Sequence, residues 1–309
     1  MTDNSEGRRG SDDRRQNDPN AEVAPNTPIR RGVDEVRVRN AIRTELASDG
    51  PAKDDKTGPH ENASTAENVI ALDHVSLAFD EPILQDVSFA AKSGETIVVA
   101  GESGTGKSTI LKLLLRLLVP EKGKVFIEDE EITELNFADA LKVRQKMGMV
   151  FQGAALFDSM TVFENIAYPL REHTDLDDRD IEERVREKLT FVDLDPDKVM
   201  EQLPSDLSGG MRKRVGIARG MANNPKIMLY DEPTSGLDPL TTATITHLII
   251  KLQRELGVTS VVVTHDIRSA FRMASKIAVL NEKKICFFGT PEEMAGNSDK
   301  YLHDFLGGF

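Results

Sequence analysis

Residues 101–108 of this chain form a glycine-rich segment, Gly101-Glu102-Ser103-Gly104-Thr105-Gly106-Lys107-Ser108. It follows the apolar run 96–100 and precedes a leucine-rich stretch with helical patterning, so it joins a predicted strand to a predicted helix. Glycines let backbone N–H groups turn inward around phosphate oxygens, and the helix directs its positive end at the same anion. Lys107 supplies a point charge, and we expect the Ser108 hydroxyl to bind Mg²⁺. With Thr109 as its continuation, the segment predicts a nucleoside triphosphate site.

An acidic pair, Asp231-Glu232, follows the apolar run 227–230. Open parallel α/β sheets bind their ligands at the carboxyl ends of the strands, which is also where the glycine-rich segment begins. We therefore predict that Asp231 binds Mg²⁺ or its waters and that Glu232 is the general base for the attacking water. The alternatives are a strand that ends in a polar turn and, upstream, a Gly/Ser-rich turn that ends in Lys-Ser by chance.

A second glycine motif lies between these two, in the run Leu207-Ser208-Gly209-Gly210-Met211-Arg212-Lys213-Arg214. Ser208 is a candidate N-cap, and the two glycines before a basic helical run predict a second phosphate site at a helix start. One nucleotide does not need two such sites in one domain. The second site is explained if it serves a nucleotide held by another copy of the chain, which predicts a homodimer.

The three motifs, in this order, resemble those of the nucleotide-binding domain of ABC ATPases, in which Leu-Ser-Gly-Gly is the family signature. The resemblance covers about residues 69–309. It implies an α/β fold: a P-loop ABC ATPase core with an antiparallel β subdomain and an inserted α-helical subdomain. It also implies ATP and Mg²⁺ as cofactors, and a dimer in which Ser208, Gly209 and Gly210 close over the γ-phosphate held by the other copy.

Further family positions are matched one residue at a time. The resemblance implies that Gln152 reaches Mg²⁺ and the attacking water, that the loop 235–238, which ends at Asp238, contacts the dimer partner, and that His265 contacts the γ-phosphate. It also implies that adenine stacks on Phe79. A histidine after a strand is often a capping or structural residue. Phe79, in an alternating run, is equally compatible with a place in the core.

Composition limits the possible functions. The chain has 309 residues, 39% of them hydrophobic, and a net charge of −13, which predicts no attraction to nucleic acid or to anionic lipid head groups. No stretch approaches 18 uninterrupted apolar residues and no signal peptide is recognisable, so we expect a protein without a membrane span that works inside the cell. We expect the single cysteine, Cys286, to be a core residue in a reducing compartment.

The chain divides by composition into two parts. Residues 1–67 are polar and nearly free of large apolar groups, and we predict a disordered extension in which only 33–46 could form a helix that docks on a partner. Residues 68–309 form the predicted ATPase domain, with about 153–207 as its helical subdomain. Helices are predicted at the following stretches, 109–118, 161–170, 181–192 and 291–295.

A transporter subunit fits these features best. The segment between Lys107 and Asp231 has no sustained heptads, unlike DNA-repair and chromosome ATPases, and one cassette argues against translation factors with two. A chain without a span needs separate membrane subunits, so we predict an integral-membrane permease dimer.

The predicted coupling surface is apolar, and its residues are Ala154, Ala155, Leu156, Phe157, Met160, Val162 and Phe163. Burial of Val162 and Phe163 within the helical subdomain is the alternative.

The runs 149–157, 162–174 and 207–214 are similar to the ATPase subunit of Mla and Mce phospholipid transporters. That resemblance implies phospholipid as cargo, a lipid-binding Mce-domain subunit as a further partner, and a peripheral position on the cytoplasmic face of the inner membrane. Two alternatives stay open: an ATPase for import of amino acids or other small solutes, and an ABC ATPase without a role in transport.

Overall fold

The computed structural model describes residues 68–307. The predicted disordered extension, with its candidate helix at 33–46, lies outside the described residues. Within them the strands are β1 Asn68–Ala78, β2 Pro82–Lys92, β3 Thr96–Ala100, β4 Lys122–Ile127, β5 Glu130–Glu131, β6 Met147–Val150, β7 Ile227–Asp231, β8 Thr259–Thr264, β9 Lys276–Asn281 and β10 Lys284–Gly289. The helices are α1 Lys107–Leu114, α2 Phe137–Gln145, α3 Val162–His173, α4 Asp178–Phe191, α5 Pro196–Val199, α6 Gly209–Gly220, α7 Pro239–Leu256, α8 Ile267–Met273, α9 Pro291–Ala295 and α10 Lys300–Gly307.

A six-stranded sheet carries the predicted nucleotide site. Its order is β10-β9-β3-β8-β7-β6, and all neighbours are parallel except the edge pair β10-β9. Every residue of β3 and β8 is buried, which is why these strands read as nearly continuous apolar runs. The carboxyl ends of β3, β7 and β8 therefore meet at one edge, where the glycine-rich loop and the acidic pair both begin.

A second sheet is antiparallel, with the order β2-β1-β4-β5. Its inward side chains, such as Ile70 and Val75, belong to one hydrophobic core with Ile110 and Leu114 of α1 and with Val99 and Val261 of the parallel sheet. Helix α1 is thus fixed by both sheets at the point where it leaves the glycine-rich loop. This sheet is the antiparallel β subdomain that the family resemblance implies.

Three helices, α3, α4 and α5, form the region inserted between β6 and α6. Helix α3 begins with a capping box, in which the Thr161 hydroxyl accepts from the Glu164 amide and the Glu164 carboxylate accepts from the Thr161 amide. The predicted helices at 161–170 and 181–192 are confirmed within a few residues at each end. The short helix predicted at 291–295 is confirmed as α9.

Two predictions about local structure are wrong. Helix α1 ends at Leu114, not at 118, because Arg116 turns into the left-handed region at φ 52° and its guanidinium donates to the Ile132 carbonyl oxygen at 3.0 Å. Cys286 is exposed and not part of the core. It lies on β10, which is an edge strand of the sheet with side chains that alternate between half-buried and exposed.

Candidate functional site

The glycine-rich loop connects β3 to α1 and is shaped by close backbone approaches. A Cβ atom on Gly101 would lie 2.4 Å from the Leu280 carbonyl oxygen, so only glycine fits there. Gly106 has φ 101°, in the left-handed region that favours glycine. It begins α1 without a side-chain cap, so the first amides of this helix are available to an anion held in the loop.

Lys107 folds back over the loop. Its Nζ donates to the carbonyl oxygens of Gly101 at 2.9 Å and Glu102 at 2.7 Å, and it lies 3.8 Å from Glu232 Oε1. Burial lowers the pKa of Lys107, while the carboxylates of Glu232 and Asp231 act in the opposite direction. The result is a buried cation at the place where phosphate oxygens are expected.

Ser108 and Asp231 fit a magnesium site. The Ser108 hydroxyl donates to Asp231 Oδ1 at 2.8 Å, which joins the first turn of α1 to the end of β7. No cluster of three or more His, Cys, Asp or Glu side chains in the described part of the chain could hold a metal by itself. One hydroxyl and one carboxylate suit Mg²⁺, which takes several of its six ligands from water and from nucleotide phosphates.

Glu232 is held between two predicted site residues. Its Oε2 lies 2.9 Å from His265 Nδ1, and its Oε1 faces Lys107. Its backbone adopts φ 46°, which is unusual for a residue with a side chain. The side-chain amide of Gln152 donates to Ser235 Oγ at 3.4 Å, so Gln152 lies beside the loop that follows Glu232. The structure therefore brings the predicted base, histidine and glutamine to one edge of the sheet.

Lys213 is a residue beside Gln152 and Glu232 that the sequence pattern does not identify. This buried lysine of α6 donates from Nζ to the backbone carbonyl oxygens of Gln152 and, at 3.3 Å, of Glu232. Burial lowers the pKa of Lys213, opposed by the charges of Glu232 and Asp231. The only signal in the sequence was its place in the basic run after Gly209-Gly210, and most basic residues in such runs are exposed.

The residues predicted to act on the nucleotide of a second copy form a separate group. Ser208 caps α6, as predicted, because its hydroxyl accepts from the Met211 amide at 3.3 Å. A Cβ atom on Gly210 would lie 2.5 Å from the Thr241 methyl group, and the Thr241 hydroxyl donates to Asp238. That bond lowers the pKa of Asp238, which caps α7. The structure thus links Ser208–Gly210 to Asp238 through Thr241.

Phe79 lies one residue beyond β1 and is 65% exposed. A core position is therefore wrong for this ring, and its face is accessible for stacking. The predicted role against adenine stays a prediction.

An apolar groove lies beside Gln152. Its volume is about 360 Å³, and its lining includes Leu141, Met149, Phe151, Phe157, Tyr168 and Arg219. The Phe157 ring is 43% exposed and packs on Tyr168 with ring centroids 5.2 Å apart. Two residues predicted for the coupling surface, Ala154 and Val162, are buried instead. Val162 faces inward because it is the first residue of α3, whose apolar side packs into the helical region.

The fold is that of a known family. The chain matches the ABC transporter family over residues 84–235. It is 37% identical over 226 residues to the intermembrane phospholipid transport system ATP-binding protein MlaF of Escherichia coli, a match that covers 73% of this chain and 83% of that protein. The chain belongs to the ABC transporter family.

Other relatives carry different names. The probable ribonucleotide transport ATP-binding protein mkl of Mycobacterium tuberculosis is 39% identical over 73% of this chain. The methionine import ATP-binding protein MetN 2 of Bacillus cereus is 43% identical over 65% of this chain. The chain spans only 62% of the length of mkl and 59% of that of MetN 2.

Among solved structures, the dimeric post-hydrolysis state of the ATP-binding cassette MJ0796 bound to ADP and Pi is 34% identical. The match has a TM-score of 0.66 and covers 72% of this chain and 98% of that chain. No helix in the described range 68–307 combines the length and apolarity needed to cross a membrane.

Proposed function

We propose that this chain is the ATP-hydrolysing subunit of a transporter that moves phospholipid between two membranes. The observation that supports hydrolysis most strongly is the Glu232 carboxylate, which contacts His265 on one side and Lys107 on the other at the edge of the sheet. Phospholipid as cargo is supported by the similarity to MlaF, which extends over 83% of that protein.

The residues of the site divide the chemistry among them. The loop amides and Lys107 bind the β- and γ-phosphates. Ser108 and Asp231 would hold Mg²⁺, which would neutralise charge on the phosphate oxygens. Glu232 accepts a proton from the attacking water at its carboxylate. His265 orients that carboxylate through the 2.9 Å contact and contacts the γ-phosphate. Gln152, held near Ser235, positions the water and the metal.

Two copies complete the site in this proposal. Ser208 and Gly209 are exposed at the start of α6, where uncompensated amides favour an anion. In a head-to-tail dimer these residues close over the γ-phosphate of the other copy. The dimeric state of the MJ0796 cassette supports this arrangement.

The groove beside Gln152 is the proposed docking place for a separate permease dimer on the cytoplasmic face of the inner membrane. Phe157 and Tyr168 expose apolar ring surface there. The segment that lines the groove continues directly into Gln152, so a partner that displaces it also moves a catalytic residue. A Mce-domain subunit is the proposed lipid-binding component of the same assembly.

The test is affinity purification of the tagged full chain from detergent-solubilised membranes. We expect a permease and a Mce-domain subunit with bound phospholipid. Phe157 lines the groove, and Leu156 is the half-buried residue beside it in the chain. Leu156→Asp combined with Phe157→Asp is expected to abolish permease association and spare ATP binding, because the two changes bring charge to this apolar surface. The control, Val119→Asp with Leu256→Asp, alters two apolar residues that are as exposed as Phe157, 46% and 51%, and that do not line the groove.

Three results contradict the proposal or part of it. A permease that co-purifies with a solute-binding protein favours an importer of amino acids or other small solutes, in line with the similarity to MetN 2. Purification without any membrane protein favours an ABC ATPase outside transport. Normal permease association of the double Asp variant would place the docking surface elsewhere.

A further inference from the structure

Lys213 closes a ring of hydrogen bonds around the water-activating residues. Its Nζ donates to the carbonyl oxygens of Gln152 and Glu232. The Glu232 carbonyl also accepts from the Ser235 amide at 3.2 Å, and the Gln152 side chain donates to Ser235 Oγ at 3.4 Å. The ring therefore runs from Lys213 to Glu232, Ser235 and Gln152 and back to Lys213.

The backbone of Glu232 needs such support. At φ 46° it occupies the left-handed region, which residues with a side chain rarely adopt and which persists only where the surroundings enforce it. The bond from Lys213 fixes the carbonyl of this residue, and the bond from the Glu232 amide to the Val263 carbonyl, at 2.9 Å, fixes its other end. These two backbone bonds therefore fix the direction in which the Glu232 carboxylate points.

Helix α6, which carries Lys213, also contacts the segment beside the groove. Ser208 caps the start of the same helix, and Arg219 near its end donates to the carbonyl oxygens of Ala154 and Ala155, both at 2.8 Å. One rigid helix therefore contacts the segment beside the groove at two places. Lys213 is the point at which that helix touches the catalytic glutamate.

We propose that Lys213 is a positioning residue for ATP hydrolysis: it locks Glu232 and Gln152 to α6, so that the helix start and the water-activating groups move as one unit. This inference rests on the proposed ATPase function. Lys213 does not touch the substrate in this scheme. Its loss leaves the phosphate-binding contacts of Lys107 intact but lets the Glu232 carboxylate move.

Lys213→Met tests the proposal because methionine keeps the length and apolar stem of lysine and lacks the N–H donors. We expect kcat for ATP hydrolysis to fall by on the order of 10²-fold, the size of effect that a displacement of about 1 Å produces. KM for ATP should change little. Lys213→Arg, which retains a cationic donor, should recover most of the lost rate.

The matched control is Lys251→Met. Lys251 is also a largely buried lysine that donates to a backbone carbonyl, that of Phe191 at 2.9 Å, but it lies outside the site. It should retain wild-type kcat. Hydrogen–deuterium exchange of the full chain should show faster exchange in peptides that contain Gln152 and Glu232 for Lys213→Met, and no change there for Lys251→Met.

The outcomes separate the inference from the proposed function. A wild-type chain without ATPase activity in its assembly contradicts the proposed function. In that case the exchange measurement still decides whether Lys213 holds the segments that contain Gln152 and Glu232. Wild-type kcat and unchanged exchange in Lys213→Met overturn the inference. Equal loss in Lys213→Arg and Lys213→Met, or a parallel loss of ATP binding, also overturns it. If Lys213→Met does not fold, Lys213→Leu, which also lacks N–H donors, replaces it under the same criteria.

Discussion

Replacement of Glu232 by glutamine tests the proposed general base. The amide preserves the shape and the burial of the side chain, which is only 13% exposed. It cannot accept the proton of the attacking water, and loss of a general base costs about 10²–10⁴ in rate. Because each factor of ten corresponds to about 1.4 kcal/mol, the variant should lose about 3–5 kcal/mol of transition-state stabilisation.

The fold should tolerate this change. Glutamine gives up the charge interaction with Lys107 at 3.8 Å, and it also removes the cost of a buried carboxylate, so the two effects largely offset each other. The His265 contact can be kept by the amide oxygen. We therefore expect a melting temperature close to that of the wild type, together with intact ATP binding and an ATP-bound dimer that accumulates.

The assay combines single-turnover hydrolysis, nucleotide binding and size-exclusion chromatography with ATP and Mg²⁺. Glu255→Gln is the control, because Glu255 is an exposed residue of α7 outside the site. Wild-type turnover in Glu232→Gln would refute the role of this carboxylate. Loss of ATP binding would show that Glu232 is needed for the binding site itself.

Three further predictions concern the nucleotide site, the start of α3 and the single thiol. Lys107→Ala should abolish ATP binding, whereas Ser208→Arg should keep binding and lose turnover; an equal loss of binding in both variants contradicts a site shared between two copies. Thr161→Ala should lower the free energy of unfolding by about 1 kcal/mol through loss of the capping box, and an unchanged denaturant midpoint contradicts that estimate. One thiol per native chain should react with maleimide because Cys286 is exposed, and the rate should rise towards alkaline pH because partial burial of the thiol raises its pKa; no reaction before unfolding contradicts its exposure.

The motifs with a local physical cause were predictable from the sequence. The fully buried strand β3, the capping hydroxyl of Ser208 and the short helix α9 follow from patterns that span only a few residues. The convergence of the loop and the acidic pair followed from one general rule, that parallel strands present their carboxyl ends at the same edge.

Contacts between distant residues were not predictable in this way. Lys213 lies 61 positions from Gln152 and 19 from Glu232, and no spacing in the sequence indicates that its amine is buried between their carbonyl oxygens. The exposure of Cys286 depends on β10 being an edge strand, which follows from the strand order and not from its apolar neighbours. The left-handed turn at Arg116 depends on the carbonyl that receives its guanidinium.

Phospholipid transport itself is tested most directly by reconstitution. The complex that co-purifies with the full chain is placed between donor vesicles that contain a fluorescent phospholipid and acceptor vesicles without it, and transfer is followed with ATP and Mg²⁺. We predict transfer that requires ATP and is lost with Glu232→Gln. A complex that hydrolyses ATP without moving lipid, or that takes up methionine instead, would contradict the proposed function.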